Sequence, residues 1–213
     1  MQGVVKLPTK FDIRRSRVDA ELGYSSPVHG IILSEFHKFV VEQHGADSWR
    51  HVVQRAQLLD VTFTPLEIYP DEFMAALIGA TERITNVARA SLLESFGEHL
   101  TPRLLSIYQA LLKPTWRTLD VIEHTEQTVH RVVRMRDQGA LPPRLRAVRM
   151  GPTEVILTYD SGRGLCAMAL GIAKGIARHF GEELVASERT CMLRGDPCCV
   201  FAFIVTEAAP GPR

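Results

Sequence analysis

A few side chains in this 213-residue chain are of types, and at spacings, that could do binding chemistry. His130 lies in a stretch where Leu119, Ile122, Val129 and Val133 supply apolar surface at helix spacing. A neutral imidazole on such a face, turned toward a pocket that excludes water, can ligate a transition metal such as iron. The plainer alternative is a hydrogen-bonded histidine at the boundary of a core. Further on, Tyr159-Asp160-Ser161-Gly162-Arg163 runs from a predicted strand into a turn. Alternate residues of a strand share a face, so Tyr159, Ser161 and Arg163 can converge. Two hydroxyls and a forked guanidinium suit one or two carboxylates held at the edge of a pocket. The alternative there is an ordinary strand end, with Ser161 capping a helix and Arg163 solvated.

All four cysteines, Cys166, Cys191, Cys198 and Cys199, fall in the last quarter of the chain. In a reducing compartment such a cluster is more often a metal site, a redox sensor or buried thiols than a pair of disulfides. Zinc takes four tetrahedral ligands. Neighbouring residues on a strand point to opposite faces, so Cys198 and Cys199 do not serve one ion. The best zinc set is Cys166, Cys191 and Cys199, and the alternative is free thiols packing a sheet.

The elements that must position these residues divide at about Gly139. From Ile31 to about Arg136 the apolar pattern is helical, with breaks at Gly45 and near Pro65 and Pro70. Leu92 to Leu112 reads as helix interrupted near Gly97 and Pro102. A long helix predicted from about Pro114 to Arg136 carries His130. Beyond Leu141-Pro142-Pro143 the pattern becomes two strands (Leu145 to Met150, Val155 to Tyr159), a helix (Arg163 to Phe180) and two more strands (Leu184 to Arg189, Cys199 to Val205). The fold class is therefore α+β, a helical N-terminal half packed on a C-terminal antiparallel sheet with its helix. Residues 1–27 are highly charged without a clear period and are expected to be a flexible extension; 28–206 form the domain and 207–213 a tail.

Composition narrows the function classes. Twenty-five basic residues against 24 acidic give a formal net charge of +1, unlike a nucleic-acid binder. No apolar run approaches the ~20 residues of a membrane helix, since Gly171, Lys174 and Gly175 interrupt the longest candidate. The N-terminus lacks the apolar segment of a secretory signal, so a cytoplasmic protein is expected. No Ser/His/Asp arrangement, phosphate loop or paired-carboxylate site stands out, so the chain is not expected to be an enzyme.

Taken jointly, His130, Pro142-Pro143-Arg144 and Tyr159-x-Ser161-x-Arg163 resemble the H-NOX haem domains of bacteria and of soluble guanylate cyclase. Val28-His29-Gly30-Ile31 is similar to the family's usual first residues. The resemblance runs from about Val28 to Val205. It implies haem b between the two halves, His130 as iron ligand, Tyr159, Ser161 and Arg163 on the propionates, and Pro143 pressing on the porphyrin. Ile32, Phe36, Leu100, Leu104 and Ile172 would lie near the distal side or the haem rim. Oxygen-binding members of the family carry a distal tyrosine where this sequence has Met168, which donates no hydrogen bond. Leu100 likewise replaces a polar partner. The resemblance thus implies a nitric oxide sensor that discriminates against oxygen, with a weakening iron–His130 bond as its trigger. No effector domain stands out in the sequence, so output is expected in trans, through a histidine kinase or a cyclic-di-GMP enzyme. Some relatives carry a cysteine-rich zinc site here; Glu188 falls where their histidine would be. Cys191 to Phe201 also resembles the vinyl-reductase-like domains. That leaves a haem-free small-molecule module, or a zinc/thiol redox sensor, as the alternative.

Overall fold

The computed structural model describes residues 27–136 and 140–207. The predicted N-terminal extension, apart from Pro27, and the tail beyond Glu207 lie outside those residues. The helical half opens with a two-residue strand, β1 (Val28–His29), followed by α1 (Gly30–His44) and α2 (Ala46–Arg55). A second short strand, β2 (Ile68–Tyr69), pairs antiparallel with β1. Then come α3 (Asp71–Thr85) and α4 (Arg89–Tyr108). Their core is aromatic and aliphatic, with Phe36 edge-on to Phe96 at 5.0 Å between ring centroids.

The predicted interruption of α4 near Gly97 and Pro102 does not occur. Proline removes one helix donor and crowds the preceding turn, but packing on the later helix α7 (Cys166–Phe180) overrides that penalty. The Thr101 hydroxyl donates to the Gly97 carbonyl at 2.8 Å and lies 3.3 Å from that of Ile172, across the helix pair. Gly97 and Gly171 mark the crossing. A Cβ on Gly97 would sit 2.3 Å from the Met168 carbonyl oxygen, and one on Gly171 1.9 Å from that of Glu94. Glycine at both positions is what lets the two backbones touch.

The helix carrying His130 starts later than predicted. Pro114 and Thr115 form a turn, and α5 spans Thr118–His124. A five-residue π turn, Glu126–His130, then continues into α6 (Arg131–Arg136). The start is fixed from both sides. The Arg117 backbone N–H donates to Asp120 Oδ2 at 2.9 Å, and the Thr118 N–H donates to Glu182 Oε2 at 3.1 Å.

The second half is a four-stranded antiparallel sheet in the order β3 (Arg144–Gly151), β4 (Glu154–Asp160), β6 (Cys199–Glu207), β5 (Glu182–Thr190). Strand alternation buries Val155, Leu157 and Tyr159 of β4 opposite Phe203, Phe201 and Cys199 of β6. With α5 and α7 these residues make a second core that includes Leu119, Ile122, Ala173 and Ile176. The α+β architecture expected from the sequence is the one observed.

Glu182 at the start of β5 ties the His130 helix to the sheet. Burial alone would raise its carboxyl, but hydrogen bonds from Thr118 and Arg117 outweigh burial and hold it below the ordinary value of 4.5. A carboxyl depressed by folding contributes stability above its unfolded value, and that contribution is lost as pH falls through the folded value. Glu182→Gln is therefore expected to cost about 1 kcal/mol at pH 7, a charged hydrogen bond discounted for partial exposure. The cost should shrink as pH falls below 4.5. Denaturant unfolding of both proteins across that range checks it; a pH-independent difference would exclude the charge as its source.

Candidate functional site

A cavity of about 590 Å³ lies between the helical half and the sheet. Sites for cofactors and small ligands typically run to about 300–1,000 Å³. Its wall is apolar over most of its area, and it includes His130, Pro143, Tyr159, Ser161 and Arg163.

His130 closes the π turn. Its backbone N–H donates to Thr125 O at 3.0 Å, five residues back. Threonine hydroxyls turn inward onto the same helix, Thr125 to Val121 O at 2.6 Å and Thr128 to His124 O at 2.7 Å. Such back-bonding bends helices, and π turns concentrate at functional sites. The imidazole is 14% exposed, and its Nδ1 lies 3.1 Å from Glu126 Oε2. Burial pushes the ring below its ordinary value of 6.5, against the opposing pull of Glu126 and of a hydrogen bond to the Pro143 backbone. The ring is thus neutral at pH 7, the protonation state a metal requires.

The other wall is the end of β4 and the turn after it. Tyr159 is buried on the strand, and its hydroxyl, within hydrogen-bonding reach of Ser161, is pushed up to about 12, chiefly by burial. It remains a neutral donor at any physiological pH. Arg163 sits at the rim and gathers three segments. Its Nε lies 3.0 Å from Asp71 Oδ1, one terminal nitrogen donates to Leu141 O at 2.9 Å, and the other to Pro27 O at 2.9 Å. Burial raises the Asp71 carboxyl, and Arg163 works against that rise. A carboxylate arriving at this rim would meet a guanidinium already oriented, shared with Asp71.

Ile32, Leu100, Leu104, Met168 and Ile172, expected near a ligand, line the cavity. Phe36 does not. It is fully buried, is packed between Phe39 and Phe96, and is set back from the cavity as part of the first core. Two residues passed over in the sequence belong to the site. Glu126 stands one helical turn before His130, a spacing that puts both on one face and could have been read. Asp71 pairs with a residue far along the chain, and no local pattern announces it.

The cysteine cluster lies apart from this cavity. Sγ of Cys191 is 3.8 Å from that of Cys166 and 3.7 Å from that of Cys199, and the three fall within 4.8 Å of one another. Cys198 is half-buried and stands outside this group. Burial pushes the Cys166 thiol up to about 12 and raises that of Cys199 as well. The Cys166 and Cys199 thiols are therefore protonated and pack as small apolar groups. With Cys191 they supply three of the four donors tetrahedral zinc takes. Glu188, which the resemblance placed at a fourth position, is engaged by Arg194 instead.

With this geometry in hand, comparison with known proteins is specific. A family model described as Haem-NO-binding matches residues 29–188. Two curated relatives from Drosophila melanogaster, soluble guanylate cyclases 89Da and 89Db, are 22% and 20% identical over 162 residues, 75% of this chain. The chain spans about a quarter (24%) of the length of these relatives. Among solved structures, an H-NOX protein from S. oneidensis in the Fe(II)NO ligation state matches with a TM-score of 0.78 at 20% identity, over 84% of this chain and 100% of that one. Fe(II) unliganded H-NOX protein from K. algicida matches with a TM-score of 0.74 at 19% identity, over 87% and 100%. At these identities the structural likeness establishes the shared fold.

Proposed function

The chain belongs to the haem-NO-binding family of haem-based gas sensors, and from that premise we propose that it senses nitric oxide through haem b held in the cavity between its two halves. One observation carries the reading: a neutral imidazole and a rim of Tyr159, Ser161 and Arg163 line the same 590 Å³ cavity, whose wall is mostly apolar. The residues present fit the group. His130 would hold the iron; Tyr159, Ser161 and Arg163 would hold the propionates; Pro143 would bear on the ring. Bound there, haem would supply an iron centre that takes up NO and loosens its bond to the imidazole.

The protein's part follows from its own residues. His130 sits at a π turn in a helix pinned at its start by Glu182 and Asp120. A ring released from its metal would let that turn relax and the α5–α6 helix shift against the sheet. The altered surface would be read by a partner in trans, a histidine kinase or a cyclic-di-GMP enzyme. A pull-down from lysate with and without NO tests it, and identical partners in both states would count against it.

Met168 and Leu100 govern gas choice. Neither can donate a hydrogen bond to bound oxygen, whereas NO binds ferrous haem without such help. The reduced protein mixed with air is therefore expected to give no stable oxygen complex, and mixed with NO to change its spectrum at once. A persistent oxygen-bound spectrum would refute the selectivity. Protein that stays colourless after expression with ample haem would refute haem binding altogether and favour the haem-free reading.

A further inference from the structure

Glu126 stands where a single carboxylate can serve several parts of the site. Its Oε2 accepts from His130 Nδ1 at 3.1 Å and from the Leu145 backbone N–H at 3.1 Å. Its Oε1 accepts from the Arg134 guanidinium at 2.7 Å, and the same guanidinium lies 3.4 Å from the Pro143 carbonyl. Arg134, Leu145 and His130 thus hold the carboxyl group from three sides. The π turn sets the geometry, with Glu126 as its first residue and His130 as its last.

We propose that Glu126 is a positioning residue for the metal-ligating histidine. By accepting from Nδ1 it fixes the tautomer that leaves Nε2 as the ligating nitrogen, and its charge makes the ring a stronger donor. The inference rests on the haem reading above. Its physical basis is general. A histidine ligand is oriented and tuned by whatever its second nitrogen meets, and a carboxylate there raises ligand basicity. Arg134 and Leu145 keep that carboxylate in place. The strength of the iron–His130 bond, and with it the threshold for release, would then be set by Glu126.

The experiment compares haem-loaded wild type with Glu126→Gln, Glu126→Ala and Arg134→Met. Resonance Raman of the reduced, gas-free proteins reads the iron–histidine stretch, and transfer to apomyoglobin reads haem loss. The stretch is expected to fall from wild type through Glu126→Gln to Glu126→Ala. Haem loss from Glu126→Ala should accelerate about 10- to 100-fold, the usual cost of losing such a partner. Arg134→Met removes a brace but leaves the contact to His130, so its stretch should stay nearer that of wild type. An unchanged stretch and haem-loss rate in Glu126→Ala would overturn the proposal. So would an Arg134→Met shift as large, which would make Glu126 a fold brace only. Should Glu126→Ala not fold, the near-isosteric Glu126→Gln decides alone on the same readouts. A wild-type chain that takes up no haem overturns the sensor reading and this inference together, an outcome distinct from normal haem with an indifferent Glu126.

Discussion

His130→Gly protein is expected to purify with little haem and to regain its spectrum when millimolar imidazole is supplied. The proposed iron ligand and the packing of a mostly buried ring would be lost together. The loss should exceed that of an outer-sphere partner, so haem affinity should fall at least ~100-fold. Glycine in the helix adds about 1 kcal/mol of destabilisation, which imidazole filling the vacated space partly offsets. The informative state is the rescued one. Free imidazole is not attached to the helix, so whatever happens at the metal no longer pulls on the π turn. Hydrogen exchange over residues 118–136 should then respond to NO in wild type and not in the rescued variant. Equal responses would show that this helix is not the carrier of the signal. A wild-type level of haem in His130→Gly without imidazole would remove His130 from the ligand role itself.

Much of this site could be read from the chain because its parts are punctuated locally. Tyr159, Ser161 and Arg163 follow a strand whose alternation is plain in Val155-x-Leu157-x-Tyr159, and the observed β4 ends one residue beyond Tyr159. The sheet and α7 are bounded by Pro142-Pro143, Gly151-Pro152 and Gly181, signals that act within a few residues. What was illegible depends on partners distant in sequence. Pro102 and Gly97 read as breaks, yet the helix continues because α7 lies against it at Gly171. Phe36 is apolar at helix spacing, which cannot say whether a side chain meets a cavity or another phenyl ring. The π turn needs an i→i−5 bond that no hydrophobic period encodes. Glu126 and His130 share a turn and were readable as a pair; Asp71 and Arg163, brought together only by the tertiary fold, were not.

That last pair separates fold from ligand grip at the rim. Arg163→Leu is expected to lose haem far faster than wild type, by roughly 100-fold or more, because a forked donor for carboxylate is removed and leucine offers no substitute. It should also unfold more easily. Arg163 and Asp71 side chains are only 15% and 19% exposed, and Asp71 would be left without its countercharge. Breaking such a pair costs about 2 kcal/mol when partial exposure is allowed for. The sign with pH follows. Burial already raises the Asp71 carboxyl, and Arg163 restrains that rise. Without the guanidinium the carboxyl rises further, so the variant is weakest at neutral pH and recovers as acid protonates Asp71. Asp71→Asn in the Arg163→Leu background should therefore restore much of the lost stability at pH 7, since an amide needs no countercharge. It should not restore haem retention, because the grip on carboxylate is still absent. Should the double variant hold haem as wild type does, Arg163 acts only by bracing Pro27, Leu141 and Asp71, and the clamp consists of Tyr159 and Ser161 alone.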